Sequence, residues 1–237
     1  MIFRSRHAEF EAIKREMAPM FERESCRIIE AGCGRKWEYK LPDDVTPYII
    51  GIDIDEAAIQ LRAASENDLD EMHCCDLLDA KVPCATADIV YCSFVFEHLA
   101  DPPNVLKKFA DWVADDGIIV LRFPNIESVF GWTTRISPHW VHVLYHRLVK
   151  GYKEAGKNGH PPYPTVYHES LKCENFHELL RANGLEIKAL YKVNTADKLP
   201  GLWKSIYVAY AHLVSLLSFG KIDRKVSSFA YVLKKTD

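Results

Sequence analysis

Two short apolar runs, each ending in a group suited to holding a ligand, restrict this chain more than anything else in it. Ile28-Ile29-Glu30-Ala31 runs into the turn Gly32-Cys33-Gly34, and Tyr48-Ile49-Ile50-Gly51-Ile52 runs into Asp53. The carboxylate falls about 20 residues beyond the first glycine, the spacing at which a parallel α/β sheet holds a nucleoside. Bare backbone approaches the ligand after the first strand, and an acidic side chain takes the ribose hydroxyls after the second.

The rest of the first half keeps the same rhythm. Apolar runs at 27–30, 48–53, 72–75, 87–94 and 117–123 read as strands, and helical spacing marks 7–23, 56–64 and 103–113. Pro19 is expected to end or kink the first of these helices, and Asp55 is placed to cap the second. Strands alternating with helices over short connections imply a doubly wound, mostly parallel sheet. After Pro124 the pattern changes. Residues 126–168 form a long segment rich in Trp and Pro, a helix follows at 170–183 with Asn183-Gly184 as its C-cap, and 185–193 and 228–234 read as a late pair of strands. Residues 194–226 form a second irregular block. The expectation is one seven-stranded α/β domain over 1–237, with 126–168 and 194–226 as cap insertions.

Length and charge fit that picture. A chain of 237 residues suits one α/β domain with insertions, and its net charge of −3 gives no electrostatic footprint for nucleic acid. Seven cysteines without a pairing pattern suggest reduced, mostly buried thiols in a cytoplasmic protein. Cys74-Cys75 does not match a metal-ligand spacing, so no metal is expected. The segment 1–10 carries Arg4, Arg6, His7 and Glu9 without an apolar core, which does not read as a signal peptide.

A dinucleotide fold would place a third glycine where this chain has Arg35-Lys36-Trp37, and a ligand without a pyrophosphate does not need it. Read together, Ile29-Glu30-Ala31-Gly32-Cys33-Gly34, Gly51-Ile52-Asp53-Ile54, Cys75-Asp76-Leu77, Ala87-Asp88-Ile89-Val90 to Glu97-His98-Leu99, and Asp116-Gly117-Ile118-Ile119-Val120 resemble the class I S-adenosylmethionine-dependent methyltransferases. The resemblance is to the small-molecule branch that includes quinone-biosynthesis enzymes. It covers 25–123 well and the last helix–strand–strand unit loosely. It implies S-adenosyl-L-methionine as cofactor and a role for each matching residue. Gly32 and Gly34 would lie against the methionine part, with Glu30 organising the turn through the ammonium or a water. Asp53 would accept the ribose hydroxyls and Ile54 cover the adenine. Asp76 would take the adenine amino group with Leu77 packed beside it, and Ser93 would face the sulfonium. Two other readings of the nucleoside site stay open: a nicotinamide oxidoreductase and a non-catalytic nucleoside-binding subunit.

For the acceptor the residues are less specific. A hydroxyl acceptor calls for a general base, and imidazole suits that task. His98, after the fourth strand, and His168, where the first insertion rejoins the domain, are the candidates. His142, Tyr163 and Tyr167 are candidate substrate contacts. His139, His142, His146, Lys150 and Lys153 share one face of a helix over 139–153, with Trp140, Leu144 and Leu148 mostly on the other. That pattern fits a solvated polar face, a cationic surface for an anionic group, or a metal site. The apolar stretch 206–219 is too short to span a bilayer. It fits a buried helix or homodimer contact, a lid, or a helix lying on a membrane surface. The expected acceptor is a small molecule methylated most readily at oxygen, bulky and partly apolar.

Overall fold

In the computed structural model, residues 2–3, 6–37, 39, 41, 45–157, 159–194 and 201–236 are described. The strands are β1 (Ile2–Phe3), β2 (Arg27–Ala31), β3 (Tyr48–Asp53), β4 (Glu71–Cys74), β5 (Ala87–Ser93), β6 (Val113–Pro124), β7 (Leu185–Val193) and β8 (Ser228–Lys235). The helices are α1 (Arg6–Phe21), α2 (Glu56–Ser65), α3 (Pro102–Trp112), α4 (Val129–Ile136), α5 (His139–Leu148), α6 (Cys173–Ala182) and α7 (Gly201–Leu217). Pro19 lies inside the last turn of α1 and does not end it.

One sheet holds every strand, in the order β1-β7-β8-β6-β5-β2-β3-β4. β2 pairs in parallel with both β3 and β5, while β8 runs antiparallel between β6 and β7. The seven expected strands are all present, and the two-residue β1 adds an eighth at the edge beside β7. From β2 the chain moves outward first through β3 and β4, then returns to build β5 and β6 on the other side. The loops after β2 and β5 therefore diverge at a topological switch point, where such sheets bind ligands.

Period-2 alternation within apolar strands supplies both faces of the sheet. Ile29, Ile50, Val90 and Ile119 point to one face, against Leu106 and Phe109 of α3 and Phe176 and Leu180 of α6. Their neighbours Ile28, Ile49, Ile89 and Ile118 point to the other, against Ile13 and Met17 of α1. A third, small cluster of Val129, Ala211 and Val214 holds α7 onto α4, with Tyr207 and Tyr210 packed at its edge. The two insertions thus meet each other through α4 and α7.

Three expectations change. The helix at 139 stops at Leu148, and Gly151 at φ +73° turns the chain, so Lys150 and Lys153 lie beyond it. The apolar stretch is not a buried helix, because α7 hides only one narrow stripe. The thiols are all free, but only Cys26, Cys33 and Cys92 are buried; Cys74 and Cys84 are exposed.

Candidate functional site

At the C-terminal end of β2 the chain must turn against β3 and β5 at once. The backbone N–H groups of Gly32 and Cys33 both donate to the Ile52 carbonyl oxygen, at 2.7 and 3.1 Å. Gly32 sits at φ +72°, and a Cβ there would lie 2.1 Å from a Val95 methyl carbon, so only glycine fits. Gly34, at φ +54°, has nothing within 4 Å of where a Cβ would be. Its bare backbone faces open space.

The carboxylate of Asp53 meets this turn. Oδ2 accepts from the Gly34 N–H at 2.8 Å, and Oδ1 accepts from the Asp55 N–H at 2.9 Å. Burial raises the Asp53 pKa above the ordinary carboxylate value, although the backbone donors of Asp55 and Gly34 oppose that rise. A carboxylate has about four acceptor positions, so Asp53 keeps capacity for a further donor beyond its backbone partners. Ile54, next in sequence, is 72% exposed beside it. An apolar side chain left open next to a half-used carboxylate and a bare turn is a cradle that a nucleoside fits. Asp55 caps α2 through the Ala58 N–H at 3.2 Å, as its position suggested.

Glu30 takes a different partner from a ligand ammonium. Its carboxylate lies 2.6 Å from the guanidinium of Arg62, which is fully buried. Arg62 also binds both oxygens of Asp68 at 2.8 Å and donates to the Cys33 carbonyl at 2.8 Å. Burial opposes the guanidinium charge, yet Asp68 and Glu30 outweigh it and raise the Arg62 pKa. The turn is therefore braced from behind, and Glu30 acts through Arg62. Sequence reasoning missed Arg62. Its signal was a lone cation on the apolar face of α2 with Ala58 and Ile59.

Asp76 spends one oxygen on the Leu78 N–H at 2.8 Å, which forms a capped turn, and Leu77 is buried in the core. Ser93 accepts from Arg122 at 2.9 Å. Arg122 is itself buried and paired with Glu9 of α1 at 3.0 Å, tying that helix to the switch point. Phe94 follows at φ +55°, a conformation costly for a bulky side chain and concentrated at functional sites.

Beyond Phe94, a 3-10 turn (Phe96–His98) carries the acceptor-side candidates. His98 Nδ1 donates to the Pro164 carbonyl at 2.6 Å, which fixes the tautomer and leaves Nε2 as a proton acceptor. Burial lowers its pKa, so the ring is neutral near pH 7. Glu97 beside it is buried, and its Oε2 has no partner. Burial pushes that carboxyl up to about 8, with its own backbone N–H and Arg122 opposing. Glu97 was quoted only within a motif, and its burial next to an exposed loop could not be read from sequence.

Residues 159–168 cross over this edge as a strap. His160 accepts from Arg35 at 3.0 Å, Tyr163 donates to Asp55 at 2.9 Å, and Val166 and Tyr167 donate from their backbones to the Glu97 carbonyl at 2.8 and 3.1 Å. Tyr163 thus stands between the ribose-side carboxylates and His98, whose ring it meets edge-on at 6.1 Å. Tyr167 is buried and bonded to Thr134, a strut more than an open contact. The Nδ1 of His168 accepts the Ser170 N–H at 3.1 Å and caps a 3-10 turn. His142 bonds the Thr134 backbone, and its pKa is lowered by burial and by His139. The ring of His139 is also near enough to His98 to lower its pKa. The start of α5 therefore borders the same mouth.

Comparison with known proteins agrees with this geometry. The family model for a methyltransferase domain matches residues 4–190. A probable S-adenosylmethionine-dependent methyltransferase of Mycolicibacterium smegmatis is 31% identical over 98 residues, 41% of this chain and 38% of that protein. One of Mycobacterium tuberculosis is 30% identical over 112 residues, 47% of this chain and 40% of that protein. The matched stretches thus span about two fifths of those curated relatives. An S-adenosylmethionine-dependent methyltransferase from Mesorhizobium loti has the same fold at a TM-score of 0.58 and 17% identity, covering 96% of this chain and 98% of its own.

Proposed function

Because this chain belongs to the methyltransferase domain family whose named relatives depend on S-adenosylmethionine, we propose that it transfers a methyl group from that donor to a hydroxyl of a small-molecule acceptor. The observation that carries the reading is the meeting of the Gly34 N–H with the Asp53 carboxylate beside the open Ile54 side chain. When bound, the cofactor supplies a methyl group on a positively charged sulfur.

The chain's own residues then have two tasks. The first is holding and shielding. Asp53 keeps acceptor capacity for the ribose hydroxyls, Ile54 offers apolar surface to the base, and Glu30 with Arg62 keeps the turn rigid. Holding reactants in line is worth roughly 7–11 kcal/mol in well-positioned systems. The strap from His160 to Tyr167 limits water at that edge. The second task is proton removal. His98 offers its Nε2 lone pair while Nδ1–H stays on Pro164, so the ring can take the acceptor's proton without turning. A base of this kind contributes roughly 10²–10⁴-fold. The apolar and histidine-bearing elements at the mouth, α4 and α5, favour an acceptor that is bulky and partly apolar.

Titration calorimetry with S-adenosylmethionine and with NAD tests the donor. Micromolar binding of the first and none of the second is expected; the reverse would refute the proposal. A labelled-methyl assay against small-molecule extracts identifies the acceptor. In that assay His98→Ala should lower kcat about 10²-fold or more while donor affinity stays unchanged. Because the His98 pKa is lowered, the acid limb of the wild-type kcat/KM profile should fall below the ordinary histidine value of about 6.5.

A further inference from the structure

The α5 and α7 surfaces carry apolar side chains on the outside, where the protein interior has no use for them. On α7, Tyr207, Tyr210, Ala211 and Val214 face α4, yet Leu202, Ile206, Leu213 and Leu217 form a second stripe on the open side. Leu216 is 75% exposed and Phe219, just past the helix, 92%. On α5 no residue is buried, and the helix is turned opposite to its expected sense. His142 and His146 face inward and are half-buried, while Trp140, Leu144 and Leu148 stand outward at spacings of four. Burial holds the His146 pKa down to about 4, with Lys150 and His142 assisting, so the inward ring adds no charge at neutral pH. The Tyr145 side chain helps raise the Tyr207 pKa, after burial and Tyr210, so these two rings of α5 and α7 lie near each other.

Charge is as unevenly placed as apolar surface. Residues 128–153 and 201–222 contain Arg135, Arg147, Lys150, Lys153, Lys204 and Lys221 and no Asp or Glu. Since the whole chain carries −3 and these segments +6, the remainder carries −9. At the end of α7 a cavity of about 360 Å³ joins both characters, with Leu213 and Leu216 beside His212, Ser215 and Arg224. Among the described residues no helix is long and apolar enough to cross a membrane. At about 1.5 Å per residue α7 reaches roughly 26 Å, long enough to lie along a surface.

From these observations we infer that α5 and α7 form a docking surface for the face of an anionic lipid bilayer. Their outward leucines and Trp140 enter the boundary of the acyl chains, and the surrounding lysines and arginines meet the headgroups. Interfacial helices combine an apolar face with a margin rich in Lys and Arg, and here the flanking acids Glu127, Glu154 and Asp223 leave the six cations in excess. A second copy of the chain fits less well, because a two-fold contact would bring the same cationic margins against each other. The inference does not depend on the methyl-transfer reading, whose donor site rests on the turn after β2 and on Asp53 at the end of β3.

Flotation of the purified chain with vesicles tests it. Binding to phosphatidylglycerol vesicles is expected in low salt, with little to phosphatidylcholine vesicles and a clear loss in 0.5 M salt. Lys150→Gln and Lys153→Gln should each weaken binding about fivefold. The double variant L213E/L217E should lose binding at least tenfold while its Tm and S-adenosylmethionine affinity stay at the wild-type values, because both side chains are exposed. Failure to bind phosphatidylglycerol vesicles in low salt would overturn the inference. So would a dimer that L213E/L217E dissociates in the absence of any vesicle binding.

Discussion

The C-terminal edge of the sheet at β2 and β3 and the cap built from α4, α5 and α7 use the same residue types in opposite ways. There, strand isoleucines vanish into two cores and two sets of buried charges sit in networks: Glu30 with Arg62 and Asp68, Glu9 with Arg122. In the cap, many isoleucines and leucines face outward, and among the described residues its apolar cluster is the small one under α7. Buried charges cost too much to keep unless they are paired, so the edge is geometrically rigid. An exposed apolar helix face carries no such penalty for moving. One region is built to hold a fixed shape, the other to present a surface.

The most severe test of that contrast is Arg62→Ala. It leaves Glu30 and Asp68 without their cation and the Cys33 carbonyl without its donor, and should cost about 3–5 kcal/mol in chemical denaturation. A loss below about 1 kcal/mol would mean that the edge is no more tightly determined than the cap. Pairing Arg62→Met with Glu30→Gln should recover part of the loss.

Glu97 sharpens the comparison, since its buried Oε2 has no hydrogen-bond partner among the described residues and its Oε1 lies 4.0 Å from His98 Nε2. Its folded pKa of about 8 lies above the unfolded value of about 4.3. The native state therefore binds more protons across that window, and stability falls as pH rises through it. Glu97→Gln should raise Tm at pH 8.5 and leave it unchanged at pH 4. A lower Tm at pH 8.5 would show that the ionised form is held by a bond.

The histidines have the opposite sign. His98, His142 and His177 have pKa values lowered chiefly by burial, and His146 is near 4. Unfolding allows them to take protons, so stability should decline as pH falls below about 6.5, traceable by thermal melts between pH 7 and 5. Replacing His98 with Gln should shrink that decline.

Smaller effects are expected where strap and cap meet solvent. Tyr163→Phe removes one hydrogen bond to Asp55 and should cost about 1 kcal/mol or less in stability. It should also speed donor exchange in stopped-flow. Leu216→Ser, in the exposed part of α7, should change Tm by an amount equivalent to less than about 0.5 kcal/mol. A larger loss would place that side chain in a buried contact.

Much of the edge was legible because the physics there is local. A strand buried on both faces reads as an apolar run, so β3 begins and ends where the pattern does. A turn that approaches a carboxylate needs glycine, and Gly32 declares itself. The cap was less legible for an equally physical reason. Periodicity shows that α5 has two faces but not which one turns inward, and here the histidine face does. His168 looked like a base because imidazole serves equally well as a cap, and its neighbour Ser170 decides which. Arg62 was hidden because a buried guanidinium depends on carboxylates at 30 and 68 that only the fold brings together.

Calorimetric titration of S-adenosylmethionine into the wild-type chain and into Asp53→Ala addresses the heart of the matter. If the carboxylate beside the Gly34 amide grips the donor's sugar, the substitution should weaken binding about 100-fold or more, from the loss of two charged hydrogen bonds. Equal affinity in the two proteins would contradict it.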